Sequence, residues 1–143
     1  MPDLNDSAAR IQTQIQVMFY DTDCAGVVHN IAYLRFIEEA RTRLAEQLGM
    51  PLATMGDKGV YPVVVRTEID YRKPAKLGDE LLIKGWLDEI ASARFWCGFE
   101  VVRKSNNDLC VTSRQTLAIV ELPKGRPIRL PANWSTLAKS QAR

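Results

Sequence analysis

One stretch of helical periodicity stands among segments that alternate, and this imbalance limits what the chain can fold into. Between residues 30 and 48 the apolar side chains Tyr33, Leu34, Ile37, Ala40, Leu44, Ala45 and Leu48 recur at helical spacing. Arg35, Glu38, Glu39, Arg43, Glu46 and Gln47 take the opposite face. Asn30 stands where an N-cap is expected, and Gly49 with Pro51 ends the pattern. A helix of about five turns with so broad an apolar stripe has to lie against a sheet.

The remaining patterned segments supply that sheet. Residues 11–19 read IQTQIQVMF, placing Ile11, Ile15, Val17 and Phe19 on one side and Gln12, Gln14 and Gln16 on the other. After the helix come four strand-like segments: Val60–Tyr71, 81–90, Arg94–Arg103 and 109–122. The first sets Tyr61, Val63, Val65, Ile69 and Tyr71 against Arg66, Glu68 and Asp70; the third sets Phe95, Cys97, Phe99 and Val101 against Trp96, Gly98 and Glu100. The breaks RKPAKLGDE, Ala91-Ser92-Ala93 and KSNND are short enough for antiparallel neighbours, so a meander is predicted. One strand, one helix and four strands make an α+β fold, a five-stranded antiparallel sheet wrapped around one long helix. Such a sheet leaves its edges open, so pairing with a second copy makes a dimer the minimum assembly.

The 143 residues fill one domain of ordinary size. The patterned core covers about residues 11–122, and the stretch 123–143 reads as a surface tail with one helical turn at 134–139. With 46% hydrophobic and 25% charged residues, disordered and low-complexity classes are excluded. Nineteen basic against seventeen acidic residues leave +2, too little to make nucleic acid or an anionic membrane the main partner. Cys24, Cys97 and Cys110 form an odd set without a Cys-x-x-Cys pair, which suits a reducing cytoplasm rather than a disulfide framework or zinc site. The opening MPDLNDSAAR lacks the apolar core of a signal peptide, and no apolar run approaches the ~20 residues of a membrane helix. A cytoplasmic protein without membrane insertion is expected.

The chemistry concentrates in FYDTDCAGVVHNIAYLRFIEEAR, residues 19–41, where Asp21, Asp23, Cys24 and the single histidine, His29, precede the helix start. Free N–H groups there carry partial positive charge and can polarise a carbonyl. A carboxylate in the preceding loop can attack that carbonyl or deprotonate a water. Asp21 and Asp23 are two apart and point oppositely in an extended loop, so only one is chemical; Asp21 reads as the loop-capping member. His29, with no partner at metal spacing, argues against a metal site and either shapes the loop or contacts substrate. A Cys24–His29 hydrolase is a rival, weakened because adjacent Asp23 and Cys24 need not converge on one substrate atom.

The pattern V-x-F-x-D-T-D-x-x-G-V-V-H-N-x-x-Y-x-x-x-x-E-x-A-R, running from Val17 to Arg41, resembles the signature of the 4-hydroxybenzoyl-CoA-type acyl-CoA thioesterases of the hot-dog fold. Tyr71-Arg72-Lys73-Pro74 and Gly78-Asp79 extend the likeness, and the element order agrees over about residues 11–122. The nearest branch is the small bacterial Tol-Pal-associated thioesterases. The resemblance implies hydrolysis of a CoA thioester at a subunit interface, in a dimer or a tetramer. It makes Asp23 the catalytic carboxylate, as nucleophile or general base, and the Asn30 N–H the group that polarises the carbonyl, with His29 a third candidate. Substrate contacts are expected at Gly26, Val27 and Tyr33, and cations for the CoA phosphates at Arg72, Lys73 and Arg94, with Arg103 and Lys104 in reserve. No metal and no cofactor is expected, since CoA arrives as part of the substrate. Two alternatives keep the fold: a non-catalytic acyl-CoA-binding or partner-binding module, and an enoyl-CoA hydratase, whose Asp and His are spaced differently. The acyl group stays open.

Overall fold

The computed structural model describes residues 9–132 and Trp134. Strand β1 (Arg10–Gln16) leads through a 3-10 turn at Phe19–Asp21 to the long helix α1 (Asn30–Gln47) and a seven-residue helix α2 (Leu52–Lys58). Then come β2 (Val60–Tyr71), β3 (Glu80–Ile90), β4 (Arg94–Arg103), β5 (Leu109–Glu121) and a two-residue β6 (Arg126–Pro127). The main sheet runs β1-β3-β4-β5-β2, antiparallel throughout, with β6 on the end of β5. Helix α1 packs chiefly on β3 and β1. This is the α+β hot-dog arrangement. No helix among the described residues is long and apolar enough to cross a membrane.

The core forms where the two periodicities meet. Tyr33, Phe36, Ile37, Ala40 and Leu44 of α1 are buried against Leu81, Ile83, Leu87, Phe99 and Leu117 of the sheet. Each large side chain fully removed from water stabilises the fold by roughly 1.5–3 kcal/mol. The buried stripe is rotated from its predicted line: Phe36 is inside, while Leu34 is 39% exposed and faces a groove beside β2. Helix α2 occupies the connection between α1 and β2.

Three further expectations are corrected. The first strand stops at Gln16 rather than running to Phe19, because the Asp21 carboxylate takes the Met18 N–H at 2.9 Å and bends the chain. Phe19 is left 81% exposed. The meander holds for β3, β4 and β5, but β2 pairs with β5 instead of β3. Residues 72–79 therefore cross beneath two strands; eight residues reach ~26 Å when extended, more than three strand spacings of ~14 Å in total. As an edge strand little covered by α1, β2 lacks a clean buried side, with residues 63–68 exposed and its register shifting between Val64 and Arg66.

The stretch after Leu122 is not only surface chain. Ile128 and Leu130 pack on the core, and Trp134 is fully buried, edge-on to Phe95 with ring centroids 5.0 Å apart. Beyond Trp134, the predicted turn at 134–139 lies outside the described residues.

Candidate active site

The loop between β1 and α1 is held by its two aspartates in different ways. Asp21 is 2% exposed; its carboxylate accepts the Met18 N–H and pairs with Arg35, and its carbonyl accepts the His29 N–H at 3.0 Å. It ties the two ends of the loop together, the capping part expected of it. Asp23 is exposed, at the start of a turn in which Gly26 donates its N–H to the Asp23 carbonyl at 3.0 Å. Gly26 has φ +76°, a conformation that other residues rarely take. The Asp23 N–H donates to the Val27 carbonyl at 2.9 Å, and its Oδ1 accepts the Ala25 N–H at 2.9 Å. The second carboxylate oxygen takes no hydrogen bond among the described residues. Cys24 is exposed one residue further on.

The helix start differs from its predicted form by one residue. His29, in extended conformation, is the N-cap: its Nδ1 accepts the Ala32 N–H at 3.2 Å. Asn30 is thus the first helical residue rather than the cap. This leaves the N–H groups of Asn30 and Ile31 without intrahelical partners at the positive end of the helix dipole. With Nδ1 accepting, the neutral imidazole carries its proton on Nε2.

A cleft of about 290 Å³ opens at this helix end, lined by Val28, Asn30, Tyr33, Tyr71, Arg72, Lys73 and Pro74. The Tyr33 and Tyr71 rings lie 5.7 Å apart, and the Tyr71 hydroxyl donates to the Asn30 carbonyl at 3.4 Å. The Tyr33 hydroxyl accepts the Ala75 N–H at 3.1 Å, and burial pushes its pKa above the usual phenol value. Gly26 and Val27 do not line this cleft; Leu77 donates its N–H to the Gly26 carbonyl at 3.1 Å, and Val27 bridges to Lys76. A larger hollow of about 420 Å³, on the outer sheet face at Lys84, Trp86 and Glu100, holds none of these groups.

The expected cations separate. Arg72 and Lys73 line the cleft, Arg72 donating to the Thr112 hydroxyl at 3.4 Å and Lys73 pairing with Asp108 at 3.3 Å, both still exposed to solvent. Lys104 is exposed and paired with Glu80 at 3.5 Å. Arg94 opens β4, nine residues and ~30 Å from the Arg103 end, so one chain does not bring it to this cleft. Arg103 is sequestered, its side chain 14% exposed. Among the described residues no group of three or more His, Cys, Asp or Glu side chains is placed to hold a metal ion. Val28, Tyr71 and Pro74 were not singled out as cleft walls; the signal lay in the Tyr71-to-Pro74 stretch, which follows directly on a strand.

Comparison with known proteins gives the same frame. Residues 17–137 match the family model described as the thioesterase-like superfamily. The chain is 32% identical over 118 residues to the acyl-CoA thioesterase YbgC of Haemophilus influenzae, covering 82% of this chain and 85% of that one. It is 34% identical over 111 residues to a 1,4-dihydroxy-2-naphthoyl-CoA hydrolase of Synechococcus elongatus, covering 76% and 79%. Its fold superposes on the crystal structure of a 1,4-dihydroxy-2-naphthoyl-CoA thioesterase from Synechocystis with a TM-score of 0.79 at 25% identity, covering 91% and 96%. The family model spans the aspartate loop, the helix and every strand from β2 to β6. The chain belongs to the thioesterase-like superfamily, and its fold is that of the hot-dog thioesterases.

Proposed function

We propose that this protein hydrolyses acyl-CoA thioesters to the free acid and CoA. One juxtaposition carries the reading: an exposed carboxylate, Asp23, in a pinned turn ahead of a helix whose first residue, Asn30, lines an apolar cleft with cations at its rim. The Asn30 N–H donates a hydrogen bond to the thioester oxygen as negative charge develops there. Asp23 either attacks the carbonyl carbon, giving a mixed anhydride that water then opens, or takes a proton from the attacking water; in both cases CoA leaves as a thiolate. The Nε2–H of His29 is a further donor at the same helix end, and the chemistry runs on side chains and backbone without a cofactor.

The site is completed by a second copy in this reading. Val63, Val64 and Val65 on the open edge of β2, and the groove formed by Ile31, Leu34, Arg35, Glu38, Arg41 and Val64, support edge pairing into a dimer, with a dimer of dimers as the larger assembly. Three free cysteines support a reducing, cytoplasmic setting.

The test is thiol release from short, long-chain and aromatic acyl-CoA substrates, with Asp23→Asn and Cys24→Ala run beside the parent. Loss of release in Asp23→Asn alone is the expected result, and the ranking of rates names the acyl class. Loss in Cys24→Ala alone would replace the carboxylate mechanism with a cysteine one. Absence of thiol release from every substrate would leave the binding-module or hydratase reading in its place.

A further inference from the structure

We infer that Arg103 is a positioning residue for the Asp23 loop and the helix start, acting through Asp79 and the 72–79 crossover; the inference rests on the thioesterase reading. The side chain leaves the end of β4 and uses all three guanidinium nitrogens. Nε donates to Asp79 Oδ2 at 3.0 Å, one terminal nitrogen to Asp108 Oδ2 at 3.0 Å, and the other to the Pro74 carbonyl. Pro74 and Asp79 bracket the latter part of the crossover, and a single planar group clamps both. Asp79 Oδ2 also accepts the Lys76 N–H at 2.9 Å, closing a turn in which Gly78 has φ +85°.

Before Pro74 the crossover is anchored by the Arg72 and Lys73 N–H groups on the Cys110 carbonyl, at 2.8 and 3.1 Å; after it, the clamped segment makes the bonds that locate the reacting groups. Val28 donates its N–H to the Ala75 carbonyl at 2.8 Å, immediately before the His29 cap. Leu77 donates to the Gly26 carbonyl at 3.1 Å, the glycine of the Asp23 turn. Gly78 donates to the Val17 carbonyl at 3.0 Å and Val17 to the Asp79 carbonyl at 2.8 Å, fixing the loop's other end. The chain of bonds thus runs from Arg103 through residues 74–79 to both sides of Asp23 and to the helix start. Lysine cannot reproduce it: a single ammonium on a flexible stem does not span three fixed acceptors. Arg103 is also poorly placed for a CoA phosphate, since each of its three nitrogens already donates to a fixed acceptor and its side chain is 14% exposed.

The test uses the full chain, with Arg103→Lys, Asp79→Asn and the double variant, assayed on hexanoyl-CoA, benzoyl-CoA and palmitoyl-CoA. Arg103→Lys is expected to lower kcat by about ten- to a hundredfold while KM stays within about threefold, the signature of misplaced reacting groups. The double variant should be no worse than the poorer single one, because both break the same clamp. Amide hydrogen exchange provides a readout free of turnover: Val28 and Leu77 should exchange at least about tenfold faster in Arg103→Lys, with α1 amides around Ala40 unchanged. A raised KM with unchanged kcat would make Arg103 a phosphate ligand and overturn the inference, as would unchanged exchange at Val28 and Leu77. A parent protein inactive on every thioester would sink the thioesterase reading, and the exchange measurement would still decide the clamp.

Discussion

The Nδ1 of His29 accepts the Ala32 N–H at 3.2 Å, so the chain's single histidine serves as the cap of the helix that opens the cleft. Capping and any contact of Nε2 with substrate use different nitrogens and can be separated. His29→Asn keeps an acceptor of N-cap type, whereas His29→Ala removes it and should cost about 1 kcal/mol of stability. Urea denaturation should place His29→Asn near the parent and His29→Ala below it. A turnover defect shared by both variants would assign the defect to Nε2 rather than to the helix start.

Asp21 and Asp23 should fail in opposite ways. Asp21 is buried with the Met18 N–H and Arg35 as partners, so Asp21→Ala removes a charge-assisted hydrogen bond and an ion pair and should cost about 1–3 kcal/mol. Asp23→Asn keeps an oxygen for the Ala25 N–H and should leave the midpoint of unfolding unchanged while abolishing turnover. Equal stability losses in the two variants would contradict this division.

The thiols report the same structure through pH. Burial pushes the Cys97 thiol up to about 12, and burial also raises Cys110, whereas Cys24 is exposed. At pH 8 one fast-reacting thiol is expected in the folded protein, and Cys24→Ala should remove it. The unfolded chain ionises Cys97 near its ordinary value of 9, before the folded one does. The stabilising contribution of the neutral buried thiol is therefore complete below about pH 9 and is lost as pH climbs towards 12. Stability measured between pH 8 and 10.5 should fall less steeply in Cys97→Ala than in the parent.

Val64, 40% exposed on the edge of β2, tests assembly. In a two-fold pairing of β2 with its copy, Val64→Glu places like charges near one another and should shift the protein from dimer to monomer in sedimentation velocity. Turnover should fall with the dimer fraction. An unchanged mass would exclude edge pairing through β2.

Much of this architecture is legible because periodicity reports local faces. Arg94–Arg103 emerges with its bounds intact, since Phe95, Cys97, Phe99 and Val101 alternate without interruption. Periodicity is silent on which strand lies beside which, so the displacement of β2 to the far side of β5 could not be read from Tyr61 or Val63. Trp134 carries no pattern at all: one aromatic in a polar stretch looks like surface until its indole N–H is seen donating to the Leu48 carbonyl, 86 residues away. At the site, the two-residue spacing of Asp21 and Asp23 separates their roles. Histidine, by contrast, is not among the favoured N-caps, so Asn30 outbids His29 on type alone. The hold of Arg103 on the crossover is tertiary, joining positions that are 24 and 29 residues apart.

The crossover at 72–79 gives this fold an uneven tolerance of change. Eight residues both carry the chain from one side of the sheet to the other and form the wall against which the Asp23 loop is held. Each residue gained or lost between Pro74 and Asp79 shifts the bonds to Val17, Gly26 and Val28. Divergence among such proteins then has one open route near the cleft: exchange of side chains at positions such as Tyr71 and Arg72, at constant loop length. New acyl preferences would arise by repainting this wall, not by rebuilding it.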